Sequence, residues 1–328
     1  MRKIFEGGLW AEILGFAVIA IILYITGFLT FLFAVPLQML MIKRGYRAYL
    51  MSSFAVLVAV IISALVNTRL MENEELKQML IFIELLFPVM LMAGIFAMNL
   101  ESPYHLRKLY LLLGVTGAVG LVSIPIIYWL LQSEVFMTAM RDQVEYILSA
   151  LYGSPEAAET GMNGGMLGRI FNPEAMMETL KEVVLRNYLF SFFLLLTLNW
   201  RVGYGLGLRS RGERAAGLKN FFLPDKMVWI LLLAWAGILG DIFFGVGPLG
   251  YFVWNVGLIF LFLYGLQGMG IVQHVLSRGD MTRGLQLFII VMIIVVLFIP
   301  FLNILLIIGI PIFGISEIWI KYRQPKRS

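Results

Sequence analysis

The sequence predicts an all-α fold: a polytopic transmembrane helix bundle of about eight to ten crossings, with short or broken helices at both ends. Three observations carry this expectation. Apolar residues make up 60% of the 328-residue chain and charged residues 14%, against about 45–50% and about 25% in soluble domains. The apolar residues fall in blocks long enough to cross about 30 Å of hydrocarbon. Charge also changes sign from one intervening loop to the next, as the positive-inside rule requires. A soluble chain with a mean hydropathy of +0.89 has no core large enough to hide that much apolar surface.

Met1-Arg2-Lys3 followed by an apolar run has the outline of a signal peptide. Glu6 and Glu12 interrupt it, and no A-x-A site follows, so the expectation is an uncleaved first membrane segment. The first apolar block covers 9–42 and contains Pro36. Arg2 and Lys3 precede it; Lys43, Arg44 and Arg47 follow it. With both ends basic, the block should leave and return to the same face, turning near Gly27. Clear single spans follow at 48–66, 79–99, 107–131, 183–200, 227–246 and 251–275. The last block, 285–320, holds Pro300 and Pro311 between Arg278 and Arg283 on one side and Lys321, Arg323, Lys326 and Arg327 on the other. It repeats the logic of the first, with Pro300 as the turn.

The loops set the register. Glu72, Glu74 and Glu75 place 67–77 outside; His105, Arg107 and Lys108 belong inside. The acidic stretch 132–182 should be external and partly helical, because Phe136, Met140, Val144, Ile147, Leu148 and Leu151 recur at helical spacing. Gly153–Gly168 reads as a loop, and Asn172-Pro173-Glu174 as a helix start that runs on into the next span. Residues 201–226 read as a basic cytoplasmic loop, and Asp241 marks an outer turn. Together these describe one membrane domain over 1–328, in a bacterial inner (cytoplasmic) membrane, with both termini cytoplasmic.

Several chemistries are excluded or not called for. The chain has no Cys and 2 His, which removes disulfides, thiolate ligation and thiol nucleophiles. It has no H-E-x-x-H and no G-x-S-x-G, and no cofactor is expected. Net charge +5 and pI 9.3 would suggest nucleic acid for a soluble protein. Here the basic residues sit between spans, so orientation and anionic lipid account for them. Gly203-Tyr204-Gly205-Leu206-Gly207 resembles a phosphate loop only superficially, since it follows a membrane helix and lacks G-K-[ST].

The candidate substrate-binding residues are polar groups stranded in apolar surroundings. Glu84 lies in Leu80–Pro88, where a carboxylate needs a bundle interior, a watery cavity or a partner. Pro88, one turn on, removes a backbone donor that lipid cannot replace. Gln38 and Asn303 flank the proline breaks, and broken segments free carbonyls and half-helix termini for a ligand. Asn255 and Gln267 lie in the last clear span. Gln267 and His274 share a helical face, and Gly268 and Gly270 permit close backbone approach. Each has a plainer reading: a carboxylate bonded to a neighbouring helix, an ordinary proline kink, or interhelical hydrogen bonding with glycine packing. The rows Ala55, Ala59, Ser63 and Gly114, Ala118 read as packing faces. The sharper expectation is that Gln38, Glu84, Asn255, Gln267 and Asn303 line one shared polar site.

Phe221-Phe222-Leu223-Pro224, Trp254-Asn255, Tyr264 through Val272, and Ile318-Trp319-Ile320-Lys321-Tyr322-Arg323 together resemble the YybS-like family of multi-pass bacterial membrane proteins, a domain family of unknown function. Val35-Pro36-Leu37-Gln38-Met39-Leu40-Met41-Ile42-Lys43-Arg44-Gly45 is similar in flavour to the S components of energy-coupling-factor transporters, which capture a substrate. The expected role is therefore transport-like: binding or permeation of a small solute, as a membrane subunit served by a separate energising partner. The alternatives are a non-transporting scaffold that uses 132–182 and 201–226 to hold envelope or cytoplasmic partners, and, third, a membrane-embedded enzyme.

Overall fold

The structure is a computed structural model that describes residues 7–27, 29–100, 108–152, 173–278, 283–297 and 299–323. The expected loop Gly153–Gly168, the Asn172 cap and the basic residues His105 and Arg107 lie outside them. Among these described residues every regular element is helical. In order they are α1 (Gly7–Ile25), α2 (Val35–Arg44), α3 (Tyr46–Thr68), α4 (Glu74–Asn99), α5 (Lys108–Gln132), α6 (Glu134–Tyr152), α7 (Pro173–Ser210), α8 (Met227–Phe244), α9 (Pro248–Arg278), α10 (Arg283–Leu297) and α11 (Leu302–Ser316). Short 3-10 turns occupy Thr30–Leu32 and Leu218–Asn220. Among the described residues, 7 helices are long and apolar enough to cross a membrane. Large apolar side chains such as Phe54, Leu121, Leu233 and Phe243 point outward, which only a hydrocarbon solvent tolerates at this density.

The chain forms two compact units, Met1–Ala215 and Ala216–Ser328. In the first, α1 and α2 make the hairpin expected for the opening block. The turn begins at Gly27, whose φ of +71° suits glycine. The returning helix α2 has 10 residues, about 15 Å, so it cannot span a bilayer. It lies inside the unit against α1, α3 and α7, with Val35, Pro36, Leu37, Gln38, Leu40 and Met41 all buried. Pro36 sits in its first turn, where a missing amide N–H costs nothing.

Helix α4 starts with an Asn73 cap, whose side chain accepts from the Leu76 amide at 3.1 Å. Helix α6 packs on α4, α5 and α7, burying Val144 and Leu148 of its apolar face. Arg141 pairs with Glu145 of its own helix at 3.1 Å and links α6 to α7 through Glu174 at 2.9 Å. The hydrogen bond to Glu145 and the charge of Glu174 raise the Arg141 pKa.

Helix α7 corrects one boundary. The basic segment expected as a loop over 201–226 stays helical to Ser210. The reason is packing: the small residues Gly203 and Gly207 lie directly against α2, and that contact outweighs their poor helix propensity.

In the second unit α9 packs on α8 and α11, and α10 packs on α11. The closing block breaks between Leu297 and Leu302, the expected turn at Pro300. Phe301, with φ +69°, is the only described non-glycine residue at positive φ.

Candidate functional site

The hairpin break in the first unit leaves backbone groups that no helix satisfies, and side chains take them up. The Thr30 hydroxyl donates to the Tyr24 carbonyl at 2.9 Å and the Gly27 carbonyl at 3.1 Å. Asn199 of α7 donates through Nδ2 to the Phe31 carbonyl at 2.7 Å, and also to Leu195 of its own helix at 2.8 Å. Both neighbours are acceptors, so the amide must present its nitrogen to them. Its Oδ1 is then turned away from both. That oxygen is buried and has no donor among the described residues.

Asn199, Gly203 and Gly207 repeat every four residues and share one face of α7. A Cβ on Gly203 would lie 2.5 Å from the Gln38 Cβ and 2.9 Å from the Val35 carbonyl oxygen. One on Gly207 would lie 2.8 Å from the Ile42 Cβ. This face seats α2 alongside α7. One turn from Asn199, Gln38 exchanges hydrogen bonds with Asn99 at the end of α4: Gln38 Nε2 donates at 3.1 Å, Asn99 Nδ2 donates back at 2.7 Å. Asn99 also donates to the Ile95 carbonyl at 2.7 Å. Three carboxamides thus gather where α2, α4 and α7 meet. Charged groups nearby are engaged elsewhere: Lys108 on the Met98 carbonyl at 2.6 Å, and Lys43 and Arg44 on Glu12 at 2.9 and 2.6 Å at the other end of α2.

Glu84 stands apart from this cluster. It is half-buried in α4 and fifteen residues from Asn99, about 22 Å along the helix. Pro88 cannot donate to the Glu84 carbonyl, the partner a regular helix would assign it. The Tyr24 hydroxyl takes that place at 3.4 Å. The structure therefore ties Glu84 to α1 through its backbone.

The second unit holds a different polar cluster. Gln267 accepts from the Leu223 amide at 2.9 Å and donates to the Gly314 carbonyl at 3.0 Å and to Glu317 at 3.1 Å. Glu317 takes a two-pronged ion pair from Arg323, through Nε at 2.7 Å and through Nη2. Arg323 Nη1 donates to the Lys219 and Phe221 carbonyls at 3.0 and 2.9 Å, and its guanidinium lies 3.7 Å from the Phe222 ring centre. The close crossing of α9 and α11 depends on glycine: a Cβ on Gly268 would strike the Ile310 carbonyl, and one on Gly314 the Tyr264 carbonyl. A cavity of about 80 Å³ beside the ion pair is lined by Gln267, Glu317, Lys321, Arg323 and Asp225 among others. Gln267, Glu317 and Arg323 are all buried, and none leaves a buried polar atom without a partner.

Within each unit the sequence-derived candidates stand apart from one another. Gln38 sits in the carboxamide cluster and Gln267 in the ion-pair cluster. Asn255 is buried and bonds back to the Tyr251 carbonyl at 2.8 Å, twelve residues and about 18 Å from Gln267. Asn303 is half-buried at the start of α11, its amide on the Ile299 carbonyl at 3.0 Å. Asn99, Asn199, Glu317 and Arg323 were not among the candidates. The one signal for Asn199 was its four-residue spacing from Gly203 and Gly207. Among the described residues no group of three or more His, Asp or Glu is placed to hold a metal ion.

No family model, characterised protein or solved structure matches the chain. The class therefore rests on the fold itself: this is an integral, multi-pass α-helical membrane protein whose apolar helices contact the bilayer.

Proposed function

We propose that the protein is a transport-type membrane component that binds or passes a small solute at the carboxamide cluster of Gln38, Asn99 and Asn199. The observation that carries this is α2, a half-length helix buried in the first unit behind a broken turn. Interrupted helices with polar side chains at the break are how membrane carriers present binding groups within hydrocarbon, where irregular backbone survives only inside protein or beside a watery cavity. The reading extends to an inner-membrane location with both termini cytoplasmic, from loop charge, and to the YybS-like resemblance, from the motifs quoted above. The sequence carries no ATP-binding motif, so ATP coupling would come from a separate subunit. Native purification followed by mass spectrometry tests the proposal: a bound small molecule or a stoichiometric partner supports it. Protein that purifies without either, and that leaves vesicle permeability to every solute unchanged, contradicts it.

A further inference from the structure

Resting on that reading, we infer that the site selects neutral solutes carrying a hydroxyl or amide group, and that Asn199 Oδ1 is the atom that receives their hydrogen bond. Asn199 is fully buried, and both of its amide hydrogens are committed to the Phe31 and Leu195 carbonyls. Of its side-chain polar atoms only the oxygen has no hydrogen-bond partner among the described residues. A buried acceptor left this way is destabilising, and native proteins keep few of them. The atom has the capacity to take one hydrogen bond from a donor beyond the described residues.

The neighbourhood narrows which donor. Asn199 bonds the turn that leads into α2, and the next residue on its face, Gly203, abuts Val35 and Gln38 in the first turn of that helix. A helix start favours an acceptor through its amide N–H groups, of which Pro36 supplies none in α2. A group that both donates and accepts suits Asn199 and the helix start together. A hydroxyl or a carboxamide does both. A bare cation cannot accept and a bare anion cannot donate. The three side chains of the cluster carry no charge, so an ion entering here would lose its hydration without a counter-charge in return. Gln38 and Asn99 each hold a hydrogen bond from the other, which leaves Asn199 Oδ1 as the one side-chain atom of the three with no partner among the described residues.

The experiment is solute entry into sealed proteoliposomes of the purified full-length protein, followed by stopped-flow light scattering. Glycerol and urea are the neutral probes; sodium chloride and tetramethylammonium chloride are the charged ones. The expected result is protein-dependent entry of glycerol or urea, no protein-dependent entry of either salt, and a loss of roughly tenfold in Asn199→Leu. Asn199→Ser, which keeps an oxygen acceptor, should retain part of the rate. If Asn199→Leu does not fold, the wild-type preference for neutral over charged probes still decides. Entry of the salts in preference to the neutral probes overturns the selectivity and leaves transport standing. Faster water flow with no entry of glycerol or urea means the oxygen serves solvent alone and overturns the inference. No protein-dependent entry of any probe overturns the inference, while binding without permeation still answers to native mass spectrometry.

Discussion

The polar clusters of the two units solve the same problem, polar groups inside a membrane protein, in opposite ways. In the second, Gln267, Glu317 and Arg323 fasten Leu223, Gly314, Lys219 and Phe221, and none keeps an unpartnered buried polar atom. That cluster is charged, saturated and anchored to backbone. In the first, Gln38, Asn99 and Asn199 are uncharged, and one acceptor stays open. Saturation is what a structural clasp needs, because every remaining lone pair in a low-dielectric interior is a penalty. An open acceptor beside a broken helix is what a binding site needs. Residue type alone would have ranked them the other way, since the ionic cluster looks more functional.

The largest effect should follow from breaking the clasp. Arg323→Met leaves Glu317 charged and buried, a loss of about 3–5 kcal/mol, read as a large drop in thermal unfolding temperature of the detergent-purified protein. A change too small to measure would break the comparison at its structural end. Next, Gly203→Leu would force a side chain into the Gln38 and Val35 contact. Overpacking of this kind costs about 1–3 kcal/mol or more, and it should separate α2 from α7, detectable as faster proteolysis in the α1–α2 hairpin.

Asn99→Leu leaves the Gln38 amide without its partner and should cost about 1–3 kcal/mol. The pair Gln38→Leu with Asn99→Leu should cost less than the sum of the two single changes, because it removes both polar groups together. Full additivity would mean the bonds at 3.1 and 2.7 Å contribute nothing jointly. The smallest effect belongs to Tyr24→Phe. Its hydroxyl bond to the Glu84 carbonyl is long, 3.4 Å, so the loss should sit near the low end of about 0.5–1.5 kcal/mol. The loss should shrink further in a Pro88→Ala background, where α4 regains its own donor for that carbonyl.

The breaks at Gly27 and near Pro300 were legible in the sequence, because each end block is bounded by basic residues on both sides and is too short for two full spans. Glu84 was legible as an anomaly, and so was the effect of Pro88 on its helix. Tyr24 as the replacement donor was not, since nothing local links residues sixty positions apart. Separations of 61 and 168 residues likewise hid Asn99 from Gln38, and Phe31 from Asn199. The α7 extension was misread because Gly203, Gly205 and Gly207 among arginines have the composition of a loop; only the α2 surface that they meet makes them helical. Gln267 was legible as an interhelical hydrogen-bonding residue beside packing glycines. Its partner Arg323 is legible only as one of the basic residues after the last block, and Glu317 not at all, because the final turn that folds Arg323 back onto Glu317 has no periodic signal.

If the proposed site is right, the break in the first unit admits water and solute while the core of the second stays closed. The chain has no native Cys, so single cysteines can be placed at Ala34, beside the break, and at Leu263, in the α9 core; both positions are buried. Sealed membrane vesicles of known orientation are then treated on one side with a small, membrane-impermeant thiol reagent. The account predicts that Ala34→Cys reacts and that Leu263→Cys does not. An inert Ala34→Cys, or equal reaction at both positions, would contradict it.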